Sequence, residues 1–261
     1  MAKKQPTKKM KKTKKIKKIK KIALIDADIL LYQSACTVEQ EIDWGGDWWT
    51  LHSDVREAKM VFDVAITDIK EATGAKDFIL CFSSPNNWRF RVLSDYKANR
   101  AGTRKPLCYN AIRQYAEDTY DHRAYPLLEA DDVVGLIATS PCDDHDYIMV
   151  SQDKDFKSIP GNHYNPRKQE FFTVTQNDGD RFHLFQTLVG DPTDNYKGCP
   201  GVGPVKAESI LSTAPCWESV VECYKKSGLT EEDALVQARV ARILRHGEYN
   251  KMLCEVKLWT P

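Results

Sequence analysis

The chain has 261 residues, 42% hydrophobic and 29% charged, enough to bury a proper core in one large or two modest domains. It has no run of eighteen apolar residues, which excludes a helical membrane span and any membrane partner that such a span would imply. The formal charge of +1 conceals an asymmetry: residues 1–21 hold twelve Lys and no acid, leaving 26 basic against 37 acidic residues beyond them.

Residues 1–21 read as a disordered Lys-rich tail. The tail has no apolar signal-peptide core and lacks the Arg and Ser of a transit peptide. A sequence-independent phosphate-binding arm is the functional reading of such a cationic brush. Eight cysteines (36, 81, 108, 142, 199, 216, 223 and 254) include no CxxC pair. They read as reduced, mostly buried thiols of a cytoplasmic protein rather than a zinc site or a disulfide framework.

Ile22-Ala23-Leu24-Ile25 predicts a short buried strand ending at Asp26, with Asp28 two residues on and a helix starting at Ile29. An acid at the end of a strand in an open α/β sheet faces the cleft where ligands bind. Trp48-Trp49-Thr50-Leu51 reads as a second strand. Ser53 or Asp54 caps a long helix that ends near Gly74, and Phe78 to Phe82 forms another buried strand closing at Ser83. This alternation predicts a mostly parallel sheet flanked by helices, an α/β fold.

Residues 88–105 differ in character. Arg89, Arg91, Lys97, Arg100, Arg104 and Lys105 stand against the single acid Asp95, interleaved with Trp88, Phe90 and Tyr96. Clustered cations with stacking aromatics suit a strand of nucleic acid, and Ala101-Gly102-Thr103 breaks any helix, so a flexible loop or arch is expected. Leu107 to Tyr120 then reads as a helix.

Two acidic groups come next. Leu128-Glu129-Ala130-Asp131-Asp132 opens a helix, and Ser151-Gln152-Asp153-Lys154-Asp155 succeeds the strand Tyr147-Ile148-Met149-Val150. Carboxylates brought this close raise one another's pKa unless cations neutralise them. Oxygen-only ligation suits a hard ion, Mg²⁺ or Mn²⁺, and two such ions are the usual device for phosphodiester hydrolysis. The bland alternative is a helix N-terminus decorated with acids that suit its dipole.

Asn162–Asn165 and Glu170–Thr175 suggest a hairpin. A helix through Phe182–Val189 leads to Gly190-Asp191-Pro192-Thr193-Asp194-Asn195. Gly198, Gly201 and Gly203, with Pro200, Pro204 and Lys206, then make a glycine hairpin between helices, whose amides can hold a phosphate. Residues 216–250 read as two or three amphipathic helices.

Five ordered blocks together resemble the flap endonuclease / 5′→3′ exonuclease family, above all its small bacteriophage members and the 5′-nuclease domain of bacterial DNA polymerase I. They are Leu24-Ile25-Asp26, Tyr96-Lys97-Ala98-Asn99-Arg100, Glu129-Ala130-Asp131-Asp132, Asp153-Lys154-Asp155, and Gly190-Asp191 through Gly203. The resemblance covers roughly residues 22–215. It implies a PIN-like or resolvase-like 5′-nuclease domain over 22–180, with a helical arch at about 86–106, and a helix–hairpin–helix region over 181–261.

The resemblance also implies a divalent-metal centre lined by Asp26, Glu129, Asp131, Asp132, Asp153, Asp155, Asp191 and Asp194, with Asp28 as an added candidate. Two Mg²⁺ ions are expected, with Mn²⁺ able to substitute. Lys97 and Arg100 would steer the scissile phosphate. Arg89, Arg91, Tyr96, Arg104 and Lys105 would contact DNA, as would Gly198, Gly201, Gly203 and Lys206, with K⁺ a candidate ion at the hairpin. The implied partners are duplex DNA with 5′ ends or flaps, RNA–DNA hybrids, and replication proteins. A monomer in the cytoplasm, of the bacterial host for a phage-encoded chain, is expected.

This sequence departs from the family at Ser83, where an acid usually comes after the second core strand, and at Asp28, which is expected to compensate in part. Two other readings compete. Asp26-x-Asp28 after a strand is similar to haloacid-dehalogenase-type phosphatases, but Leu30 stands where that family places Thr or Val, and the arch and hairpin go unexplained. A catalytically silent DNA-binding accessory protein is the other.

Overall fold

The computed structural model describes residues 20–141 and 144–261. The expected tail therefore lies outside the described residues except for Lys20 and Lys21, and Cys142 lies outside them too. Those two lysines are not tail: they begin the first strand, where they pair with His145 and Asp146.

The elements run Lys20–Asp26 (β1), Ala27–Val38 (α1), Gln40–Asp43 (β2), Trp49–His52 (β3), Val55–Thr73 (α2), Asp77–Cys81 (β4), Tyr109–Thr119 (α3), His122–Arg123 (β5) and Ala130–Ala138 (α4). After them come His145–Val150 (β6), Gly161–Asn165 (β7), Glu170–Val174 (β8), Gln176–Val189 (α5), Pro204–Thr213 (α6), Trp217–Lys226 (α7), Glu231–Ala241 (α8), Tyr249–Asn250 (β9) and Glu255–Val256 (β10). No helix among the described residues is long and apolar enough to cross a membrane.

The main sheet has the order β5-β4-β1-β6-β7-β8. β5, β4, β1, β6 and β7 are parallel, and β8 turns back antiparallel on β7. β1 sits between β4 and β6 with both faces covered, which is why Ile22 to Ile25 is a continuous apolar run rather than an alternation. In register, Asp26 lies opposite Cys81, and Ile25 opposite Val150. The carboxyl ends of three neighbouring strands therefore stop at one level, and the residues just past each strand come together along one edge.

Local chemistry sets the ends of the helices. Asp54 accepts from the amide of Arg56 at 2.7 Å to open α2, and Gly74, at φ 65°, closes it. The tryptophan-rich strand forms, but not in the main sheet: β3 pairs only with β2, in an exposed hairpin.

One core lies on each face of the sheet. The first joins α1, α2 and α3 through Leu31, Phe62, Ile66 and Ile112. The second joins α4 through Leu128, Val133 and Val134. A third fills the helical region around Leu188, Leu211 and Tyr224. After α8 the chain returns to the sheet: Ile243, Leu244 and Tyr249 share the α4 core. Residues 242–249 thus belong to the packing of the α/β unit, although they come after the helices of the 181–261 region.

Candidate metal centre and nucleic-acid interface

One bank of the cleft is acidic. Asp26, 8% exposed at the end of β1, accepts from the Ser151 hydroxyl at 3.1 Å, and the same hydroxyl receives the Asp153 amide at 3.0 Å. Asp153 accepts from the Asp155 amide at 2.9 Å, and Asp155 is held by the Gln186 side-chain amide at 2.7 Å. Burial, followed by the charges of Asp28 and Asp153, pushes Asp26 up to about 7. Burial with Asp153 and Asp191 does the same to Asp155, also to about 7. Asp131 and Asp153 are raised too, burial being the leading cause. Acids so crowded are short of positive charge, and the donor set is all oxygen. A hard divalent cation fits both facts.

The other bank carries its own cations. Lys97 binds Glu129 directly and lies 3.5 Å from Asp194, while Arg100 bonds Asp194 at 2.6 Å. The Tyr96 hydroxyl is 2.9 Å from both Glu129 and Asp194. Burial alone would raise Glu129, but Lys97 and then Arg89 hold it down at about 2. Asp191 is paired with Lys154 at 2.9 Å and accepts from the Thr193 amide at 2.7 Å. Among the described residues, no three acids converge tightly enough to share one ion as the side chains stand. Lys97, Arg100 and Lys154 occupy the carboxylates that would complete such a set.

Several expected roles are corrected by burial and bonding. Asp132, 0% exposed, takes both terminal nitrogens of Arg89, the Trp88 indole at 3.1 Å, the Leu244 amide at 3.1 Å and the Glu129 amide at 3.3 Å. With its lone pairs committed, it is a structural acid rather than a metal ligand. Arg89 is 2% exposed and its five N–H groups all go to protein, to Glu129, Asp132 and the carbonyls of Val240 and Arg242. It cannot reach a DNA strand. Tyr96, 3% exposed, points its hydroxyl at the acids and offers no face for base stacking.

The basic segment is also not a free-standing helical arch. It has two short 3₁₀ turns, Trp88–Arg91 and Ala98–Arg100, and lies down on the turn after α5. There the Lys97 amide bonds the Asp194 carbonyl at 2.9 Å and the Asn99 side chain bonds the Pro192 carbonyl at 2.9 Å. Arg91, Arg100, Arg104 and Lys105 remain exposed. Arg104 is tied to Glu39, and Lys105 lies 4.2 Å over the Tyr109 ring.

Ser83 has three partners. Its amide donates to Asp28 at 2.9 Å, its hydroxyl accepts from the Ala130 amide at 2.9 Å, and its carbonyl accepts from Arg113 at 3.0 Å. It thereby fastens β4 to the start of α4 and brings Asp28 to the edge where Asp26 lies. Sequence reasoning missed Ser83 in this role, as it missed Ser151, Gln186 and Lys154. Only Lys154 carried a signal, standing between two acids.

The glycines of the hairpin divide in two. A Cβ on Gly198, at φ 65°, would stand 2.4 Å from the Gly190 nitrogen, and the Gly198 amide already donates to Gln237 at 2.9 Å. Gly198 is a packing residue, not a phosphate ligand. Gly201 and Gly203 are exposed with open space around them, Gly203 caps α6, and among the described residues their amides find no acceptor. Lys206 is exposed beside them. Cysteines 36, 81, 108, 199, 216, 223 and 254 are all free thiols, four of them buried.

A resolvase-like sheet with acids gathered at its carboxyl edge and cations facing them defines a metal-dependent nuclease. A family model, 5′-3′ exonuclease, N-terminal resolvase-like domain, matches residues 21–178. The chain is 30% identical to an exodeoxyribonuclease of Enterobacteria phage T3, over 91% of this chain and 92% of that protein. It is 31% identical to an exonuclease of Escherichia phage T7, over 91% and 93%. In fold it is similar to the T5 5′-exonuclease solved with divalent metal ions (zinc) bound, with a TM-score of 0.64, 13% identity, and coverage of 85% of this chain and 89% of that one. The chain belongs to the 5′→3′ exonuclease family.

Proposed function

We propose that this chain is a 5′→3′ exonuclease and flap endonuclease that uses two Mg²⁺ ions to hydrolyse phosphodiesters at the 5′ ends of duplex DNA. The observation that carries the reading is the opposition of the two banks. Asp26, Asp153 and Asp155 stay raised by burial and by one another, while Lys97 and Arg100 are paired with Glu129 and Asp194. The family is divalent-metal dependent, and Asp26, Asp131, Asp153 and Asp155 are the residues that would hold the ions. When bound, such ions would supply a lowered pKa for the attacking water and positive charge beside the phosphate.

The chain's own part is positioning and electrostatics. Ser151 orients Asp26, and Gln186 orients Asp155, so the acids are set before substrate arrives. Lys97 and Arg100 turn from Glu129 and Asp194 to the scissile phosphate, supplying positive charge where negative charge grows. Glu129 and Asp194, released by that exchange, join the acidic set. Hydrolysis leaves a 5′-phosphate and a 3′-hydroxyl. Gly201, Gly203 and Lys206 hold the duplex downstream without reading its sequence, and a K⁺ ion at that turn would add to the grip. RNA primers on DNA would be substrates of the same cleft, since its acids and cations suit a phosphate rather than a base.

The test is a duplex labelled at its 5′ or its 3′ end, incubated with Mg²⁺ or with EDTA, beside an Asp153→Ala variant. Mg²⁺-dependent release of short products from the 5′ end, lost in the variant, is the expected result. A duplex that is bound but left intact by every divalent ion would overturn it in favour of a silent accessory protein.

A further inference from the structure

We propose that a cavity beneath the C-terminal end of α4 is a second nucleotide site, which takes a free nucleoside 5′-monophosphate. The cavity holds about 420 Å³, within the range of about 300–1,000 Å³ typical of small-ligand pockets. It is remote from the acid cleft. Glu129 opens α4 at the cleft, whereas Ser140 lines the cavity past the other end, and eleven residues at helical rise separate them by roughly 16 Å.

Its lining suits a planar anion. Tyr125 and Tyr249 form one wall, their rings 6.1 Å apart and inclined by 31°, and Tyr147 adds a third ring. Ile79 and Leu136 give an apolar floor. Arg123, His246 and Lys251 stand among them, and no lining side chain among the described residues is a carboxylate. That composition is unusual in a body where acids outnumber bases 37 to 26 beyond residue 21.

Lys251 and Arg123 are already held in place, one by an aromatic and one by an acid. Lys251 donates to the Tyr125 hydroxyl at 2.9 Å and lies 4.4 Å above its ring, so it stays at the mouth rather than swinging free. Arg123 is engaged through its terminal nitrogens by Asp121 and by the His122 carbonyl at 2.6 Å, which leaves Nε for a second anion. The exposed His246 stands on the lining beside them, with ring nitrogens that can bond a phosphate. A base lies flat against the tyrosines while its phosphate meets Lys251, His246 and Arg123. An uncharged aromatic would leave the cations unused, and inorganic phosphate would leave the rings bare. A 5′-monophosphate uses both, and it is the class of molecule that 5′→3′ hydrolysis releases.

The experiment uses the full chain in EDTA, so that binding is read without turnover and stands apart from the proposed catalytic activity. Thymidine 5′-monophosphate, thymidine and inorganic phosphate are titrated by calorimetry against the unaltered chain and against Lys251→Glu, His246→Ala and Asp153→Ala. Saturable binding of the monophosphate is expected, weakened about tenfold or more by Lys251→Glu, weakened less by His246→Ala, and unchanged by Asp153→Ala. Thymidine and phosphate alone should each bind at least about tenfold more weakly. No saturable binding, or binding lost in Asp153→Ala and untouched by the two cavity variants, would overturn the site. Phosphate binding as tightly as the nucleotide would overturn the assignment of its ligand.

Discussion

Arg89 donates to both carboxylate oxygens of Asp132, at 2.7 and 2.8 Å, with both side chains buried. Its remaining N–H groups reach Glu129 and the carbonyls of Val240 and Arg242, so one guanidinium fastens the start of α4 to the chain leaving α8. Glu129, at the cleft, is thus held by a guanidinium that is itself buried.

Removing Arg89 leaves Asp132 as an uncompensated buried charge. Arg89→Ala should cost about 3–5 kcal/mol of stability, read as a lower urea midpoint. Arg89→Lys should recover less than half of that, because an ammonium cannot fork to two oxygens and still reach two carbonyls. Full recovery by Lys would mean that charge alone matters there.

Asp26 and Asp155 carry a pH dependence of definite sign. Both stand near 3.8 when unperturbed and are pushed to about 7 by burial and neighbouring acids. The folded metal-free chain therefore holds protons that the unfolded chain has released. The stabilisation linked to them is fully present below about 3.8 and is lost as pH rises through 7. A divalent ion needs the deprotonated forms and so reverses the trend. The rise in Tm on adding Mg²⁺ should be larger at pH 8 than at pH 6, with protons released on binding. An equal rise at both pH values would remove these two acids from the ion site.

Asp28 raises Asp26 by its charge and accepts the Ser83 amide. If it stands in for the acid that Ser83 replaces, Asp28→Asn should weaken Mg²⁺ affinity by about tenfold, the scale of a change in supporting groups around a metal. Unchanged dependence of the cleavage rate on Mg²⁺ would sink that role.

Lys97→Ala should lower the single-turnover cleavage rate by about 100- to 1,000-fold, the usual loss when one preorganised charge at a reacting centre is removed. It also frees Glu129, which should then titrate higher, since Lys97 is the larger of the two charges holding it near 2. Carbon-13 NMR of the labelled carboxyl would track that shift.

The glycines separate packing from binding. Gly198→Ala forces a Cβ to within 2.4 Å of the Gly190 nitrogen at a left-handed backbone, and should unfold the turn or cost several kcal/mol, about 3 or more. Gly203→Ala meets open space at φ −94° and should leave stability within about 0.5 kcal/mol. Its effect should instead appear as weaker duplex binding, since the added methyl stands where a phosphate would approach.

By itself the sequence determined the reaction class and the order of the elements. The apolar run before Asp26, the turn chemistry at Asp54 and Gly74, and the acids at 129–132 and 153–155 are local signals. Burial period, capping and charge are written into neighbouring residues, and the structure bears out the sheet and its helices on that basis. Only the tertiary structure decided which charges face substrate. Arg89 and Arg91 look alike in sequence, two residues apart, yet one is sealed against Asp132 and the other is exposed. Asp131 and Asp132 are adjacent, yet the helix sets them about 100° apart, and only Asp132 bonds Arg89. Gly198 and Gly203 differ in the same way. Partners 43 residues away for Arg89, and 39 for Gly198, settle each case, and no local pattern encodes such distant contacts.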